Sequence, residues 1–269
     1  RGVEFIVADI DAIDPDRNRV RLTDGRELDY DLLVIATGSR IVPDETEGLT
    51  AEGWQETAFD FYTLEGAAKL ETALEAWGGG RLVLNVVEMP IKCPIAPIEF
   101  VCLADWYLTE KGLRDKTDII YATPLDGAFT RPRASAMLGD LLEKKNIKTE
   151  TLFAAGEVDG ANRILKSWDD IEIPYDLLVT IPTHMGSESI DRSDMGDELG
   201  FIPTDRNTLQ ADGWENVFVL GDATDLPASK AGSVAHFQGS VLEENLLRYI
   251  SDRPLIDEFD GHANCFIET

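Results

Sequence analysis

Short runs of branched apolar residues alternate with helical patterns along most of this chain. The run Leu82–Val87 is apolar at all but one position, which is typical of a strand buried on both faces of a parallel sheet. Leu64–Trp77 carries apolar residues at positions 64, 67, 70, 74 and 77, the spacing of an amphipathic helix. The pattern therefore predicts an α/β protein with parallel strands.

The same patterns predict the other elements. Strands are expected at Val3–Asp9, Arg19–Thr23, Glu27–Tyr30, Leu32–Ala36 and Thr117–Ala122, and helices at about Pro97–Lys111, Arg133–Lys145 and Lys230–Ile250. Asp24-Gly25 indicates a hairpin turn between the second and third of these strands. Short strands around Lys148–Val158 and Ser167–Ile173 predict an antiparallel insertion into the βαβ series.

A repeated motif indicates two related halves. Asp29-Tyr30-Asp31 precedes Leu-Leu-Val near the start of the chain, and Pro174-Tyr175-Asp176 precedes the same three residues later. We therefore expect two domains. Residues 1–45 and 200–269 form one of them, and residues 46–199 form the other.

The charge balance excludes one class of partner. Asp and Glu number 51 against 24 Lys and Arg, for a net charge of −27, whereas a nucleic-acid binder needs clustered basic residues. A surface this acidic suits high salt and predicts a halophilic source, the alternative being an ordinary acidic mesophile protein. The chain has no apolar run of about 18 residues and no signal-peptide pattern at Arg1–Phe5, so a cytoplasmic location is expected.

The three cysteines are Cys93, Cys102 and Cys265. They are too few and too unevenly spaced for a disulfide scaffold, and no C-x-x-C or His cluster predicts a metal site. Cys102 falls within an apolar helical run, which favours packing in the core.

Cys93 stands where a dinucleotide-binding domain would place its glycine-rich phosphate loop. That loop would follow the Leu82–Val87 strand, so that bare backbone could approach a pyrophosphate at the next helix N-terminus. Here no glycine lies between Val86 and Glu99, and three prolines stiffen the segment. Close approach of a phosphate is therefore not expected.

Three motifs together resemble the flavoprotein disulfide reductases with two dinucleotide-binding domains. They are DYDLLVIATGS (29–39), the second DLLV strand (176–179) and VFVLGDA (217–223). Within that group, CPIAPIE (93–99) and the segment His262–Phe266 resemble the sulfide:quinone oxidoreductase family and the related flavoprotein subunit of flavocytochrome c sulfide dehydrogenase.

The resemblance implies two Rossmann-like, doubly wound domains, the first incomplete at its N-terminus. It also implies FAD as the cofactor, sulfide and a membrane quinone as reaction partners, and a peripheral position on the membrane. Family members begin about a hundred residues earlier and continue further, so the chain is expected to be a fragment that is inactive by itself. The resemblance also allows a homo-oligomer.

The resemblance also implies roles for individual residues. Cys93 receives the sulfur of sulfide, the alternative being a small buried apolar residue, and Cys265 stands over the flavin, the alternative being an exposed thiol near a chain end. Glu99 passes protons near the quinone or, equally, serves as a first-turn acid that satisfies the helix dipole. The FAD-binding positions are the Ile10 backbone, Thr37, Gly38, Gly221, Asp222, Lys230, Ala231 and Gly232. Their alternatives are turn chemistry, helix capping and, for Lys230, a solvated side chain.

Two departures from the family pattern are evident. Tyr62 occupies the place where several members carry a cysteine linked to the flavin, which predicts that FAD is bound non-covalently. Ala128 stands where some members have a proton-relaying histidine. Two rival functions remain: an FAD oxidoreductase like the type II NADH dehydrogenases, and a catalytically silent chain without flavin.

Overall fold

The chain divides into two compact units in a computed structural model, which describes residues 2–256 and 258–269. The first unit is Arg1–Arg40 with Met185–Cys265, and the second is Ile41–His184 with Phe266–Thr269. The predicted domains, 1–45 with 200–269 and 46–199, differ from these units mainly at residues 185–199. Those residues join the first unit because the helix at Glu188–Asp191 packs against the strand at Ile10–Asp14.

The elements are numbered in chain order. The strands are β1 (Ile10–Asp14), β2 (Arg19–Leu22), β3 (Glu27–Asp29), β4 (Leu33–Ile35), β5 (Ser39–Ile41), β6 (Ala58–Phe59), β7 (Gly80–Val86), β8 (Thr117–Ala122), β9 (Ile147–Glu150), β10 (Ala155–Asp159), β11 (Ile164–Ser167), β12 (Glu172–Pro174), β13 (Leu177–Ile181), β14 (His184–Gly186) and β15 (Val217–Val219). The helices are α1 (Leu64–Glu75), α2 (Ala96–Glu110), α3 (Pro132–Lys144), α4 (Glu188–Asp191) and α5 (Gly232–Ile250).

In the first unit, a parallel pair of strands is covered on both faces. β4 and β15 run in register, with Leu33 opposite Val217 and Ile35 opposite Val219. On one face, Ile35 and Val219 pack in a core shared with the antiparallel sheet β1-β2-β3 and with α4. On the other face, Phe218 packs against the apolar side of α5. This two-sided cover explains why both strands are apolar at every position.

The second unit is built on a five-stranded parallel sheet of order β6-β13-β7-β8-β9. Side chains of β7 alternate between its faces. Leu82 and Leu84 pack with α1, α2 and α3, whereas Val83 packs with the antiparallel sheet β10-β11-β12. The predicted helices and the buried strand are confirmed. The antiparallel insertion is also present, but its predicted strands are partly wrong, because β9 joins the parallel sheet and Ser167–Ile173 spans the turn between β11 and β12.

The repeat in the sequence is also a repeat in structure. In each unit a three-stranded antiparallel sheet leads through a Tyr-Asp pair into a parallel strand, β4 or β13. The register of β1 with β2 shifts between Ile10 and Ala12, and that of β10 with β11 shifts between Ala155 and Glu157. The two halves therefore share the position of a bulge as well as their strand order.

The predicted strand Val3–Asp9 is wrong, because the first strand begins at Ile10. Val3, Phe5 and Val7 alternate as a strand would, but they are 89%, 87% and 82% exposed. No strand in the described part of the chain pairs with residues 3–8, although the Asp9 carbonyl oxygen accepts a 3.0 Å hydrogen bond from the Thr23 amide, and an unpaired backbone gains no ladder hydrogen bonds. The hairpin at Asp24-Gly25 is confirmed, with Gly25 at a φ of +88°.

Candidate active site

Three loops of the second unit leave the same edge of its sheet. β6, β13 and β7 are adjacent and parallel, so the segments after them meet at the carboxyl edge, where open α/β sheets bind ligands. These segments are 60–63, 182–183 with the first residue of β14, and 87–95. They carry Tyr62, His184 and Cys93.

Cys93 lies exposed in the loop between β7 and α2 and forms no disulfide. Its φ of 48° is in the left-handed region, which is uncommon for a residue other than glycine. Its carbonyl oxygen accepts a hydrogen bond of 2.8 Å from the Ala96 amide, in the turn that begins α2. A thiol just before a helix N-terminus is stabilised as the thiolate by the helix dipole.

Tyr62, in the segment after β6, contacts both the loop that carries Cys93 and the segment after β13. Its hydroxyl donates a 2.6 Å hydrogen bond to the carbonyl oxygen of Lys92, the residue before Cys93. Its ring meets His184 nearly edge-on at 4.9 Å between centroids and stacks on Phe61 at 5.1 Å. Burial raises the pKa of the Tyr62 phenol, so it remains a donor throughout the physiological range.

His184 is buried, with 1% of its surface exposed, and its Nδ1 lies 2.9 Å from the Pro182 carbonyl oxygen. The sequence assigns no role to this histidine, and it marks Tyr62 only as a departure from the family pattern. The signal that could have linked them is their common position, each just after a strand of one sheet. The sequence does not tell which strands are neighbours.

Glu99 lies in the first turn of α2, and its carboxylate accepts a 3.0 Å hydrogen bond from the Glu268 amide. The adjacent Ile267 packs against the apolar core of the same unit. The carboxylate thus holds the C-terminal segment of the chain. Proton transfer by Glu99 remains a prediction.

The two exposed cysteines belong to different units. Cys265 is the last residue of the first unit, whereas Cys93 lies in the second. Neither unit by itself contains the predicted pair. Cys102 is 1% exposed and lies within the core of the second unit, as expected, and burial raises the pKa of its thiol.

The first unit assembles most of the predicted FAD-binding residues at one edge. Thr37 and Gly38 follow β4, and Gly221 and Asp222 follow β15, its parallel neighbour. The Leu220 amide bonds the Ile35 carbonyl oxygen at 2.9 Å, which extends the pairing up to these loops. Ile10 lies in the antiparallel sheet instead, where its carbonyl oxygen accepts a 3.2 Å hydrogen bond from the Arg192 guanidinium.

Lys230 is buried, with 7% of its surface exposed, so the alternative of a solvated lysine is wrong. Its ammonium donates to the carbonyl oxygens of Asp222 and Thr224, at 2.9 and 2.8 Å. The same group lies 3.6 Å from the centroid of the Phe201 ring. Burial lowers the pKa of Lys230 to about 8. The side chain therefore braces the loop of Asp222 beside the start of α5.

Two features of this edge fit a polar, anionic cofactor. Helix α5 begins at Gly232, after Ala231, and no capping side chain from the described residues satisfies its first amides. In addition, the hydroxyl oxygen of Thr37 is buried and has no hydrogen-bond partner in the described part of the chain. Both leave donors and acceptors for a ligand to satisfy.

Comparison with known proteins assigns the family. The profile of the pyridine nucleotide-disulphide oxidoreductase family matches residues 1–240. The chain belongs to this family. Its members are FAD-binding flavoproteins, which confirms the expected cofactor and the expected fold of dinucleotide-binding domains. Whether FAD is bound non-covalently stays a prediction.

Several relatives within this family carry specific names. The mitochondrial sulfide:quinone oxidoreductase of Mus musculus is 26% identical over 274 residues, which cover 100% of this chain and 61% of that protein. An NADH dehydrogenase-like protein of Mycobacterium tuberculosis is 38% identical over 172 residues, 62% of this chain and 42% of that protein. The chain thus spans about three-fifths of the length of the mouse relative.

A solved structure confirms the fold of this chain. The sulfide:quinone oxidoreductase from Aquifex aeolicus superposes with a TM-score of 0.79 at 21% identity, over 93% of this chain and 62% of that one. Among the described residues, no helix is long and apolar enough to cross a membrane. The same part of the chain contains no cluster of three or more His, Cys, Asp or Glu that could hold a metal ion.

Proposed function

We propose that this chain is the greater part of an FAD-dependent enzyme that oxidises sulfide and passes the electrons to a quinone. One observation carries the proposal: an exposed cysteine, Cys93, replaces the glycine-rich phosphate loop at the carboxyl edge of the second sheet. Relatives named sulfide:quinone oxidoreductase align with the whole chain, which supports the same function.

The overall reaction balances with two electrons. Hydrosulfide loses two electrons and a proton and leaves zero-valent sulfur, while a quinone takes up the two electrons, that proton and a second proton from water. FAD, when bound, supplies a group that can accept a pair of electrons and release them again. The sulfur is carried on the thiols of Cys93 and Cys265. The quinone is reached at the membrane surface, to which the complete protein binds peripherally.

The residues of each unit contribute in different ways. In the second unit, the start of α2 favours the reactive thiolate of Cys93. In the first unit, Thr37, Gly38, Asp222 and the first amides of α5 hold the cofactor, and Lys230 fixes the loop of Asp222. If FAD is bound at this edge, the positive end of α5 and the nearby Lys230 charge would favour negative charge on it.

The decisive experiment uses the complete protein with its flavin. Cys93→Ser and Cys265→Ser should each abolish bleaching of the flavin absorbance by sulfide, while the flavin content stays unchanged. Cys102→Ala is the matched control, because that thiol is buried in the core and should be dispensable. A serine variant that keeps more than about a tenth of the wild-type rate, equivalent to about 1.4 kcal/mol of barrier, shows that its thiol is not essential.

A second candidate is an NADH-oxidising flavoprotein, favoured by the 38% identity with the NADH dehydrogenase-like protein over 172 residues. It would need a phosphate-binding loop where Cys93 stands. A third, a chain without flavin, is tested by the flavin content of the complete protein.

A further inference from the structure

Tyr62 is held rigidly before it reaches the cysteine loop. The buried carboxylate of Asp60 accepts hydrogen bonds from the Tyr62 amide at 2.8 Å and the Thr63 amide at 2.7 Å. The Tyr62 ring is then packed between Phe61 and the buried His184. Backbone and ring are therefore both fixed, and the hydroxyl is presented in one direction.

The hydroxyl meets the peptide group that leads into Cys93. Its 2.6 Å bond to the Lys92 carbonyl oxygen restrains the plane of the Lys92–Cys93 peptide, and this plane together with that of the next peptide determines the φ and ψ of Cys93. On the other side, the Ala96 amide holds the Cys93 carbonyl oxygen at 2.8 Å. Both peptide groups around Cys93 are thus anchored.

These two hydrogen bonds are needed because the backbone conformation of Cys93 is unfavourable. A φ of 48° is disfavoured for any residue with a Cβ atom, and such conformations persist only where the surroundings enforce them. A relaxed backbone would turn the Cα–Cβ bond and move the thiol.

We propose that Tyr62 is a positioning residue that holds Cys93 in its left-handed conformation and so fixes the direction of its thiol. Its effect on sulfide oxidation rests on the proposed function, whereas its effect on the cysteine itself does not. Because Tyr62 acts through the Lys92 carbonyl, a phenylalanine that keeps the ring removes the effect and leaves the packing in place.

The test compares Tyr62→Phe with the wild type in the complete protein. Tyr30→Phe is the matched control, since the Tyr30 hydroxyl is buried without a hydrogen-bond partner among the described residues. The first measurement is the iodoacetamide alkylation rate of each cysteine, followed by peptide mass spectrometry. In Tyr62→Phe, the alkylation rate of Cys93 should rise or fall by about fivefold, which corresponds to the loss of one hydrogen bond. Cys265, in the other unit, serves as the internal reference and should not change.

The second measurement separates the two half-reactions. In Tyr62→Phe, the rate of flavin reduction by sulfide should fall about fivefold, and reoxidation by a quinone should be unchanged. A general loss of structure would instead lower both rates and release flavin. Equal losses in both half-reactions, or a Cys93 alkylation rate equal to wild type, would overturn the proposal. If the wild type does not react with sulfide, the proposed function fails and the alkylation result still decides the role of Tyr62.

Discussion

At the scale of single residues, Lys230 shows that a buried charged group can hold a loop in place and also cost stability. Its ammonium is withdrawn from water, but two carbonyl oxygens and the Phe201 ring replace part of its hydration. The net effect of burial is to lower its pKa to about 8 from an ordinary 10.5. The protonated form is therefore less stable in the folded protein than in the unfolded chain.

This difference predicts how stability depends on pH. Below pH 8, Lys230 is charged in both states and the penalty for burying the charge is fully present. Between about pH 8 and 10.5 the folded protein has released the proton while the unfolded chain retains it, so the free energy of unfolding should rise. Urea denaturation across this pH range gives the free energy of unfolding of the wild type and of Lys230→Met. Subtracting one from the other removes the contribution of the other titrating groups, which the two proteins share. Parallel curves for the two proteins would contradict the prediction.

The environment of a single residue can be predicted from the sequence only where it depends on residues close to it along the chain. The burial of Cys102 follows from its place in an apolar helical run. The burial of Lys230 does not follow from its neighbours, because it depends on how the loop of Asp222 folds back over the side chain. The contact of Tyr62 with His184 depends on β13 lying next to β6, which no local pattern encodes.

At the scale of elements, the loop between β7 and α2 lacks the features that bind the phosphates of a dinucleotide. Ile91 and Ile95 are 2% and 7% exposed, so the loop turns apolar side chains into the core. A phosphate-binding loop needs glycines to bring its amides close to the ligand. Here those positions are occupied by side chains from Val87 to Ile98.

The loop predicts that NADH does not reduce the flavin of the complete protein at a useful rate. Stopped-flow absorbance with sulfide and with NADH on the same preparation gives the comparison, and free FAD with NADH is the blank. Bleaching by NADH as fast as by sulfide would favour the NADH dehydrogenase-like function instead.

The elements themselves were predicted well where periodicity is strong. The helix expected at Leu64–Trp77 ends at Glu75, and that expected at about Pro97–Lys111 spans Ala96–Glu110. The strands β5 and β14, of three residues each, were missed because so short a segment shows no period. Val3–Asp9 failed for the opposite reason, since it has the period of a strand but no partner strand among the described residues.

At the scale of the whole molecule, the net charge of −27 opposes folding through self-repulsion. Salt weakens that repulsion, because the Debye length shrinks from about 10 Å at 0.1 M to about 3 Å at 1 M. The melting temperature should therefore rise between these concentrations of sodium chloride. Sucrose at equal osmolality is the control, since it leaves the charges unscreened. A melting temperature that is flat or falls with salt would remove the basis for a halophilic source.

The left-handed backbone of Cys93 has a consequence for the evolution and engineering of this protein. Asparagine tolerates that conformation better than cysteine does, and it lacks the extra chain entropy of glycine. Cys93→Asn should therefore raise the free energy of unfolding by a few tenths of a kcal/mol to about 1 kcal/mol. Cys93→Ser, which has no such preference, is the reference in urea denaturation, and a Cys93→Asn variant no more stable than it would contradict the prediction. If the gain is found, the native thiol marks a position where this protein trades stability for reactivity.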